Sequence, residues 1–152
     1  MNAMNASDQL IQDLQSKGER ITLPRRLVIE AISDAHTHLT INDIQKQLGP
    51  DAHSLSETTI YRVLQWLKDL GMISQTDMGQ SGVVYALISQ PYHHHLICLS
   101  CGRTYTLDDE LFAPLRERLL QEYHFETRIE HMALYGHCEE CLSKQTDHSE
   151  SA

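Results

Sequence analysis

A chain of 152 residues, 41% of them hydrophobic, is long enough to bury a core and suits one domain or two small ones. Its net charge of −9 argues against a broad basic surface for non-specific nucleic-acid binding. The charge is uneven, since residues 1–90 carry 7 Lys and Arg against 10 Asp and Glu, whereas residues 91–152 carry 5 against 11. The cations therefore lie mostly in the first half.

The sequence predicts neither a membrane protein nor a secreted one. It has no run of about 18 or more apolar residues, and residues 1–13 lack the basic and apolar parts of a signal peptide. We therefore expect a cytoplasmic protein without a membrane partner. In that compartment the four cysteines stay reduced, which favours a metal site over two disulfides.

Short helices with apolar stripes are predicted in the first half of the chain. Residues 8–17 form the first helix, which Gly18 ends, and a second begins at 22–24 with a proline in its first turn. Thr40 caps a third helix that ends near Gly49. The connections between them are short, as in a compact helical domain.

The clearest helix start is a capping box of Ser54 and Glu57, which predicts a helix running to about Leu70. An apolar stripe at i, i+3, i+4 and i+7 gives this helix a core face. The stripe consists of Ile60, Val63, Leu64 and Leu67.

The opposite face of that helix carries two hydroxyls and a cation, Thr58, Thr59 and Arg62. Two extended runs follow, 72–76 and 83–88, and predict a β-hairpin. Helices followed by such a hairpin fit a winged helix-turn-helix, whose last helix enters the major groove of DNA. A plain solvated helix face is the alternative interpretation of these three side chains.

Three arginines, Arg20, Arg25 and Arg26, cluster where the second helix begins. They favour the DNA-binding interpretation, because phosphate contacts beside a recognition helix set its register without reading sequence.

From His93 onwards the sequence predicts a second, metal-binding domain. Residues 103–107 alternate like a strand, 111–123 predict a helix with an acidic start, and 125–135 predict a further strand. Three consecutive histidines begin the domain, and in a strand His93 and His95 face one side while His94 faces the other.

Two Cys-x-x-Cys steps lie at opposite ends of this domain. Each step aims two sulfurs at one ion, and four thiolates complete the closed tetrahedral shell of a structural zinc. The 36 residues between the two pairs must then fold back as strand, helix and strand. Redox-active dithiols and unrelated buried thiols are the alternatives. The candidate zinc ligands are Cys98, Cys101, Cys138 and Cys141.

Two other functional classes stay open at this point. The histidine run suggests a zinc-dependent enzyme, although the sequence has no His-Glu-x-x-His helix, nucleophile elbow or phosphate-binding glycine loop. The acidic second half suggests a protein-interaction module.

Four ordered motifs over about 17–142 resemble the ferric uptake regulator family. They are RITLPR at 20–25, TTIYRVL at 58–64, HHHLICLSCG at 93–102 and YGHCEEC at 135–141. The resemblance implies a metal-dependent repressor of metal homeostasis, which is a homodimer on a palindromic double-stranded DNA operator. It implies that the chain is not an enzyme.

The fold implied by the resemblance is α+β. It places a winged helix-turn-helix with a short hinge in residues 1–88 and a small α/β dimerisation and metal-binding domain in 89–142. The polar composition of 143–152 predicts a disordered tail.

By resemblance, Tyr61 and Arg62 touch DNA and Arg25 supports them, and the four cysteines hold the structural zinc. A second, regulatory divalent metal lies between the domains of family members, and His38, His93 and His95 match its histidines. Iron is slightly preferred as the sensed metal, with zinc sensing and peroxide sensing as alternatives.

Two carboxylates of that regulatory site have no match, because Ala86 and Thr106 stand in their positions. Thr106 also weakens peroxide sensing, for which the family uses an Asp there. Proximity in sequence suggests four substitutes, Asp77, Asp108, Asp109 and Glu110.

The family's additional metal site is altered as well. Tyr92 stands where a histidine is common and His94 where an aspartate is common, and Glu130 and His131 lie near a usual histidine. The resemblance leaves open whether this site exists.

Overall fold

The computed structural model describes residues 5–35, 37–49, 55–88 and 92–149. These residues form an α+β protein of six helices, one two-stranded sheet and one three-stranded sheet. Within the same ranges, no helix has the length and apolarity needed to cross a membrane.

The chain divides into two compact units by its internal contacts. The first comprises Met1–Gln75 and Val83–Gln90, and the second comprises Thr76–Gly82 and Pro91–Ala152. The predicted domain 1–88 therefore differs from the first unit at two places, because Thr76–Gly82 groups with the second unit and the first unit extends to Gln90.

Helices make up most of the first unit. They are α1 (Ala6–Ser16), α2 (Leu23–Asp34), α3 (Ile41–Gln47) and α4 (Glu57–Asp69). Thr40 caps α3 as predicted: its hydroxyl accepts from the Asp43 amide at 3.1 Å, and Asp43 Oδ2 accepts from the Thr40 amide at 2.9 Å. This reciprocal pair satisfies two amides that the helix itself leaves unpaired.

The predicted capping box of Ser54 and Glu57 is wrong, because α4 begins two residues later. Ser56 is the N-cap, and its hydroxyl accepts from the Thr59 amide at 3.2 Å. Glu57 is then the first residue of the helix, where its carboxylate favours the positive end of the helix dipole. Ser54 lies outside the described residues.

The core of the first unit combines side chains of α1, α2 and α4 in one cluster. Ile60, Leu64 and Leu67 of α4 have no exposed surface, which confirms the predicted stripe. They pack in one cluster with Val28 and Ile29 of α2, which are equally buried. Burial of such a side chain contributes roughly 1.5–3 kcal/mol, so this cluster fixes how α4 is presented.

The predicted hairpin is present as β1 (Ile73–Asp77) and β2 (Val83–Leu87). Leu39 adds an antiparallel bridge to Tyr85, with N to O distances of 3.0 and 2.8 Å. Helices followed by such a hairpin confirm the winged-helix prediction.

The second unit is built around a three-stranded sheet. Its strands are β3 (His93–Cys98), β4 (Thr104–Asp108) and β5 (Ala133–Gly136), and its helices are α5 (Ala113–Tyr123) and α6 (Glu139–Ser149). The strand order is β4-β3-β5, in which β3 pairs antiparallel with β4 and parallel with β5. The histidine run therefore lies on the central strand.

The strand predicted over 125–135 is wrong for most of its length, because β5 spans only four residues. The backbone before it has other partners. The Ile129 carbonyl accepts from Arg116 Nη2 at 2.7 Å, and the Met132 carbonyl accepts from the His95 amide at 2.8 Å. These bonds hold 129–132 as an irregular segment that leads into β5.

The disordered tail predicted after Leu142 is also corrected, because α6 continues to Ser149. The helix starts directly on the second cysteine pair, where the amides of Cys141 and Leu142 donate to the Cys138 carbonyl at 3.0 and 2.9 Å. Glu139 and Glu140 lie in its first turn, where their negative charges interact favourably with the helix dipole. Polar composition predicted disorder, but this anchored start favours a helix.

Candidate DNA-binding helix and metal centres

The outward face of α4 presents most of the side chains that the sequence assigns to DNA. Thr58, Tyr61 and Arg62 are exposed, Tyr61 to 47%. Thr59 is half-buried, and its hydroxyl lies 2.9 Å from the Ser56 hydroxyl. Thr59 therefore takes part in the cap, whereas the other three form a solvent-facing surface.

Arg25 is bound within the first unit. Its guanidinium lies 3.7 Å from the centre of the Trp66 ring, within the range of a cation–π contact. It also donates to the Arg20 carbonyl at 2.7 Å and lies 3.7 Å from Glu19, which accepts from Trp66 Nε1 at 3.1 Å. Arg25 thus braces the start of α2 against α4, while Arg20 itself is exposed.

The four cysteines converge as the sequence predicts. Their sulfurs all lie within 4.8 Å of one another, and Cys101 Sγ is 3.8 Å from Cys138 Sγ. Four ligands about 2.3 Å from a tetrahedral zinc stand about 3.8 Å apart, so the separation of Cys101 and Cys138 fits one edge of a zinc–thiolate shell. All four thiols are free, which excludes a disulfide in this structure.

Electrostatics also favour a cation among these sulfurs. Amides of Cys138 and Cys101 point at the Cys98 sulfur and lower the pKa of that thiol to about 5. Hydrogen bonding from Cys138, together with burial, raises the pKa of Cys141 to about 12. The Cys98 thiolate therefore forms readily, whereas hydrogen bonding and burial favour the protonated form of Cys141, and a divalent ion among the sulfurs would displace that proton.

An ion pair closes the ends of the cysteine site. Arg103, two residues after Cys101, donates from Nη1 and Nη2 to Glu140 at 2.8 and 3.0 Å, a bidentate contact next to Cys141. Arg103 lowers the pKa of Glu140, and the carboxylate raises that of the guanidinium. The pair ties the two Cys-x-x-Cys segments together.

A second donor group lies on one face of β3. The rings of His93 and His95 are 5.1 Å apart, as the predicted alternation requires. Burial first, and then the neighbouring His93 and His94, lower the pKa of His95. These effects favour the neutral form of His95, which is the state in which an imidazole binds a metal.

His131 joins this face, and sequence reasoning did not assign it there. Its Nε2 lies 2.9 Å from His95 Nε2, and its ring is 5.0 Å from that of His93. Thr76 contacts its other nitrogen, Nδ1. Two sequence signals point to it: His131 lies near a usual histidine of the family's additional metal site, and it stands two residues before β5, which pairs with β3.

His94 points to the opposite side of β3, also as predicted. It is fully buried, its ring centre is 4.2 Å from that of Phe112, and its Nε2 lies 2.9 Å from Asp109 Oδ1. Arg116 binds the same carboxylate, and Arg116 and then His94 hold the pKa of Asp109 below its usual value. This triad ties β3 to α5.

The carboxylates suggested as substitute ligands are placed elsewhere. Asp109 belongs to the triad, and Asp77 accepts from the Gly79 amide at 2.8 Å. Asp108 and Glu110 are exposed, and Thr106 sits opposite His95 in the β3–β4 register. Over the described ranges, no carboxylate shares the donor group of these imidazoles.

The remaining predicted positions lie in the first unit. His38 is half-buried and directly precedes Leu39, whose backbone pairs with Tyr85. Ala86 is buried in β2, so this position offers a methyl group where the family has a carboxylate ligand.

These features define a class of protein, a winged-helix DNA-binding regulator that carries two metal-donor groups. Comparison with known proteins makes the class specific. Residues 16–135 match the model of the ferric uptake regulator family. The chain belongs to this family of metal-responsive transcriptional regulators, which are not enzymes.

Individual relatives cover nearly the whole chain. The ferric uptake regulation protein of Yersinia pestis is 30% identical over 90% of this chain and 94% of its own. The peroxide-responsive repressor PerR of Staphylococcus aureus is 32% identical over 90% of this chain and 92% of its own. The solved structure of the Vibrio cholerae ferric uptake regulator has 27% identity and a TM-score of 0.61, over 84% of this chain and 98% of that one.

Proposed function

We propose that this chain is a metal-dependent repressor that controls metal homeostasis by binding a palindromic operator as a homodimer in the cytoplasm. The observation that carries the proposal is the pairing, in one short chain, of an exposed polar face on α4 with two separate metal-donor groups. A regulator needs one surface that reads DNA and one site that reports the metal.

The cysteine group is the proposed structural site, filled by Zn²⁺. Its four donors leave no open position, so the ion would staple β3 to α6 and supply folding free energy rather than chemistry. The 3.8 Å edge between Cys101 and Cys138 supports zinc as the occupant.

The imidazole face is the proposed regulatory site. His93 and His95 would hold a second divalent ion, Fe²⁺ or Zn²⁺, and His38 is proposed as a further ligand on the family resemblance. A ligand shifts a conformational equilibrium only by its difference in affinity for the two states. We infer that the ion binds more tightly to the form that engages the operator.

Peroxide sensing is the second candidate, and the Staphylococcus aureus relative named for it supports it. The lack of a carboxylate among the described donors of the imidazole group weighs against it. If the candidate is correct, brief peroxide treatment of the iron-loaded protein will abolish operator binding and oxidise a ligand histidine, which mass spectrometry would detect.

A homodimer is supported by the surface of the second unit. Apolar side chains of the sheet and of α5 face solvent in the single chain, among them Leu96, Tyr105, Leu115, Leu134 and Tyr135. Exposed large apolar side chains in this number favour an interface in a small protein. We propose that a second copy covers it.

The proposed DNA contacts are Tyr61, Arg62 and Thr58 in the groove, with Thr59 at the helix start and Arg20 on the backbone. Exposure on α4 supports the first three. For Arg25 we propose the supporting role, because Trp66, Glu19 and the Arg20 carbonyl already engage its guanidinium.

The test is operator binding at fixed zinc content of the cysteine site. A chelator mild enough to leave that zinc in place should abolish binding to a palindromic operator selected from random sequence, and one divalent metal should restore it. Zinc content is measured in parallel by elemental analysis. Operator binding that is unchanged by the chelator contradicts a metal switch.

A further inference from the structure

We propose that His131 is a ligand of the regulatory ion, and that a donor set in which all the described ligands are imidazoles makes this site select Zn²⁺ over Fe²⁺ and Mn²⁺. The inference rests on the proposed function, because it concerns the same regulatory site. It revises the slight preference for iron that the sequence suggested.

The placement of His131 is the first step. The rings of His93, His95 and His131 form a near-equilateral triangle, with centre-to-centre distances of 5.1, 5.0 and 4.9 Å. A donor nitrogen from each ring lies within 4.8 Å of the other two. All three belong to the second unit, so the triangle is a property of that unit alone.

The tautomer of His131 is the second step. Thr76 is buried, and its hydroxyl is bound to His131 Nδ1. A hydroxyl that accepts from Nδ1–H leaves the lone pair of a neutral imidazole on Nε2, the nitrogen that faces His95. Such a hydrogen bond to the outer nitrogen is the usual way in which proteins orient a metal-binding histidine.

The spacing of the nitrogens is the third step. Two imidazoles bound at about 2.0–2.1 Å to a tetrahedral zinc have their nitrogens about 3.4 Å apart. His95 Nε2 and His131 Nε2 are 2.9 Å apart, so a shift of about half an ångström brings them to that separation. Small rotations of either ring supply such a shift.

The donor chemistry is the final step. Imidazole suits zinc, copper and iron, whereas Mn²⁺ prefers carboxylate and water oxygens. Thr106 lies opposite His95 and is exposed, and the described part of the donor group has no carboxylate. Without carboxylates to favour harder ions, the order of intrinsic affinities places Zn²⁺ above Fe²⁺ and Mn²⁺.

The experiment uses the full chain with its cysteine site filled by zinc. Co²⁺ is titrated as a visible-absorbing probe, and Zn²⁺, anaerobic Fe²⁺ and Mn²⁺ are then competed against it. We expect a tetrahedral cobalt spectrum, with Zn²⁺ displacing cobalt most effectively and Mn²⁺ least. Displacement by Mn²⁺ as effective as that by Zn²⁺ would overturn the selectivity.

Three variants test the ligand itself. His131→Ala should weaken Co²⁺ and Zn²⁺ binding by at least tenfold, and Thr76→Val should weaken it by about tenfold through loss of the orienting bond. His131→Asp should recover binding and narrow the difference between Zn²⁺ and Mn²⁺. His124→Asn is the matched control, because His124 is an exposed histidine with φ 52°, a conformation that Asn tolerates.

The variants are compared only where circular dichroism and the zinc content of the cysteine site match those of the wild type. An unchanged cobalt spectrum and affinity in His131→Ala refutes the inference while leaving the metal switch intact. Conversely, operator binding that ignores metal in the wild type refutes the proposed function, whatever the cobalt spectrum shows.

Discussion

The two units stabilise themselves in different ways. The first buries a continuous apolar core, in which Leu14, Ile44 and Leu64 have no exposed surface. The second has few buried apolar side chains, and its helix α5 has none. The first unit is held by packing, whereas the second contains a cluster of four cysteine sulfurs, buried histidines and exposed apolar side chains, for which we have proposed a zinc ion and a second copy as partners.

This contrast assigns the two tasks of the protein. A packed helical unit gives the stiff support that a DNA-reading helix needs. A unit whose stability comes from ions can change its population of states when an ion binds or leaves. We therefore expect substitutions in the second unit to have larger and more metal-dependent effects on stability than equivalent substitutions in the first.

The largest expected effect comes from Cys138→Ser. Apparent binding free energies of structural zinc are about 10–16 kcal/mol, and loss of one thiolate should forfeit much of this. We expect loss of zinc, unfolding of the second unit and loss of the dimer, with the first unit still folded. Hydrogen exchange by mass spectrometry separates the two units.

Ser143→Ala, within α6 and five residues after Cys138, is the control for that substitution. It removes the hydroxyl that donates to the Glu139 carbonyl and leaves all four cysteines in place. A Cys138→Ser protein that keeps its zinc and its dimer would remove the contrast between the units.

Substitution of one leucine in each unit should give the next largest effects and should separate packing within a unit from contact between two copies. Leu64→Ala should cost about 2–5 kcal/mol in the free energy of unfolding of the first unit, because it opens a cavity in a closed core. Leu115→Ala, at a position that is 46% exposed in the single chain, should lower dimer affinity instead. Urea unfolding and sedimentation equilibrium measure the two effects. Equal loss of monomer stability in both variants would contradict our account of α5.

Two arginines of the first unit should differ in the same way. Arg62→Ala should lower operator affinity by roughly 1–3 kcal/mol without changing the melting temperature, since Arg62 is exposed on α4. Arg25→Ala should lower both, because it removes the brace on Trp66. Fluorescence anisotropy and calorimetry provide the readouts. An unchanged melting temperature in Arg25→Ala would show that the brace is not needed.

The smallest effect concerns pH. Arg116, and then His94, lower the pKa of Asp109, so this carboxylate stabilises the second unit above its unfolded pKa of about 4 and loses that contribution as pH falls further. Asp109→Asn should therefore be less stable than the wild type near neutral pH and should lose less stability between about pH 5 and pH 2. The free energy of unfolding is measured against pH for both proteins, and curves that run parallel for Asp109→Asn and the wild type would contradict this role of the triad.

Local patterns predicted local structure well. The stripe of α4, the cap of α3 and the hairpin follow from spacing within a few residues, and the cysteine site follows from two short motifs. The position of His131 does not, because an irregular segment places it and its partner His95 is 36 positions away. Likewise α6 was missed, since its start depends on contacts at Cys138 rather than on its polar composition.

The contacts that hold Arg25 within the protein should also lower the salt dependence of operator binding. Two of the three arginines near the start of α2 face carboxylates, Arg25 at 3.7 Å from Glu19 and Arg26 at 3.9 Å from Glu30. Cations neutralised within the protein displace few of the counterions condensed on DNA. The complex should thus gain less from counterion release than a count of its arginines suggests, and rely more on the shape of the groove.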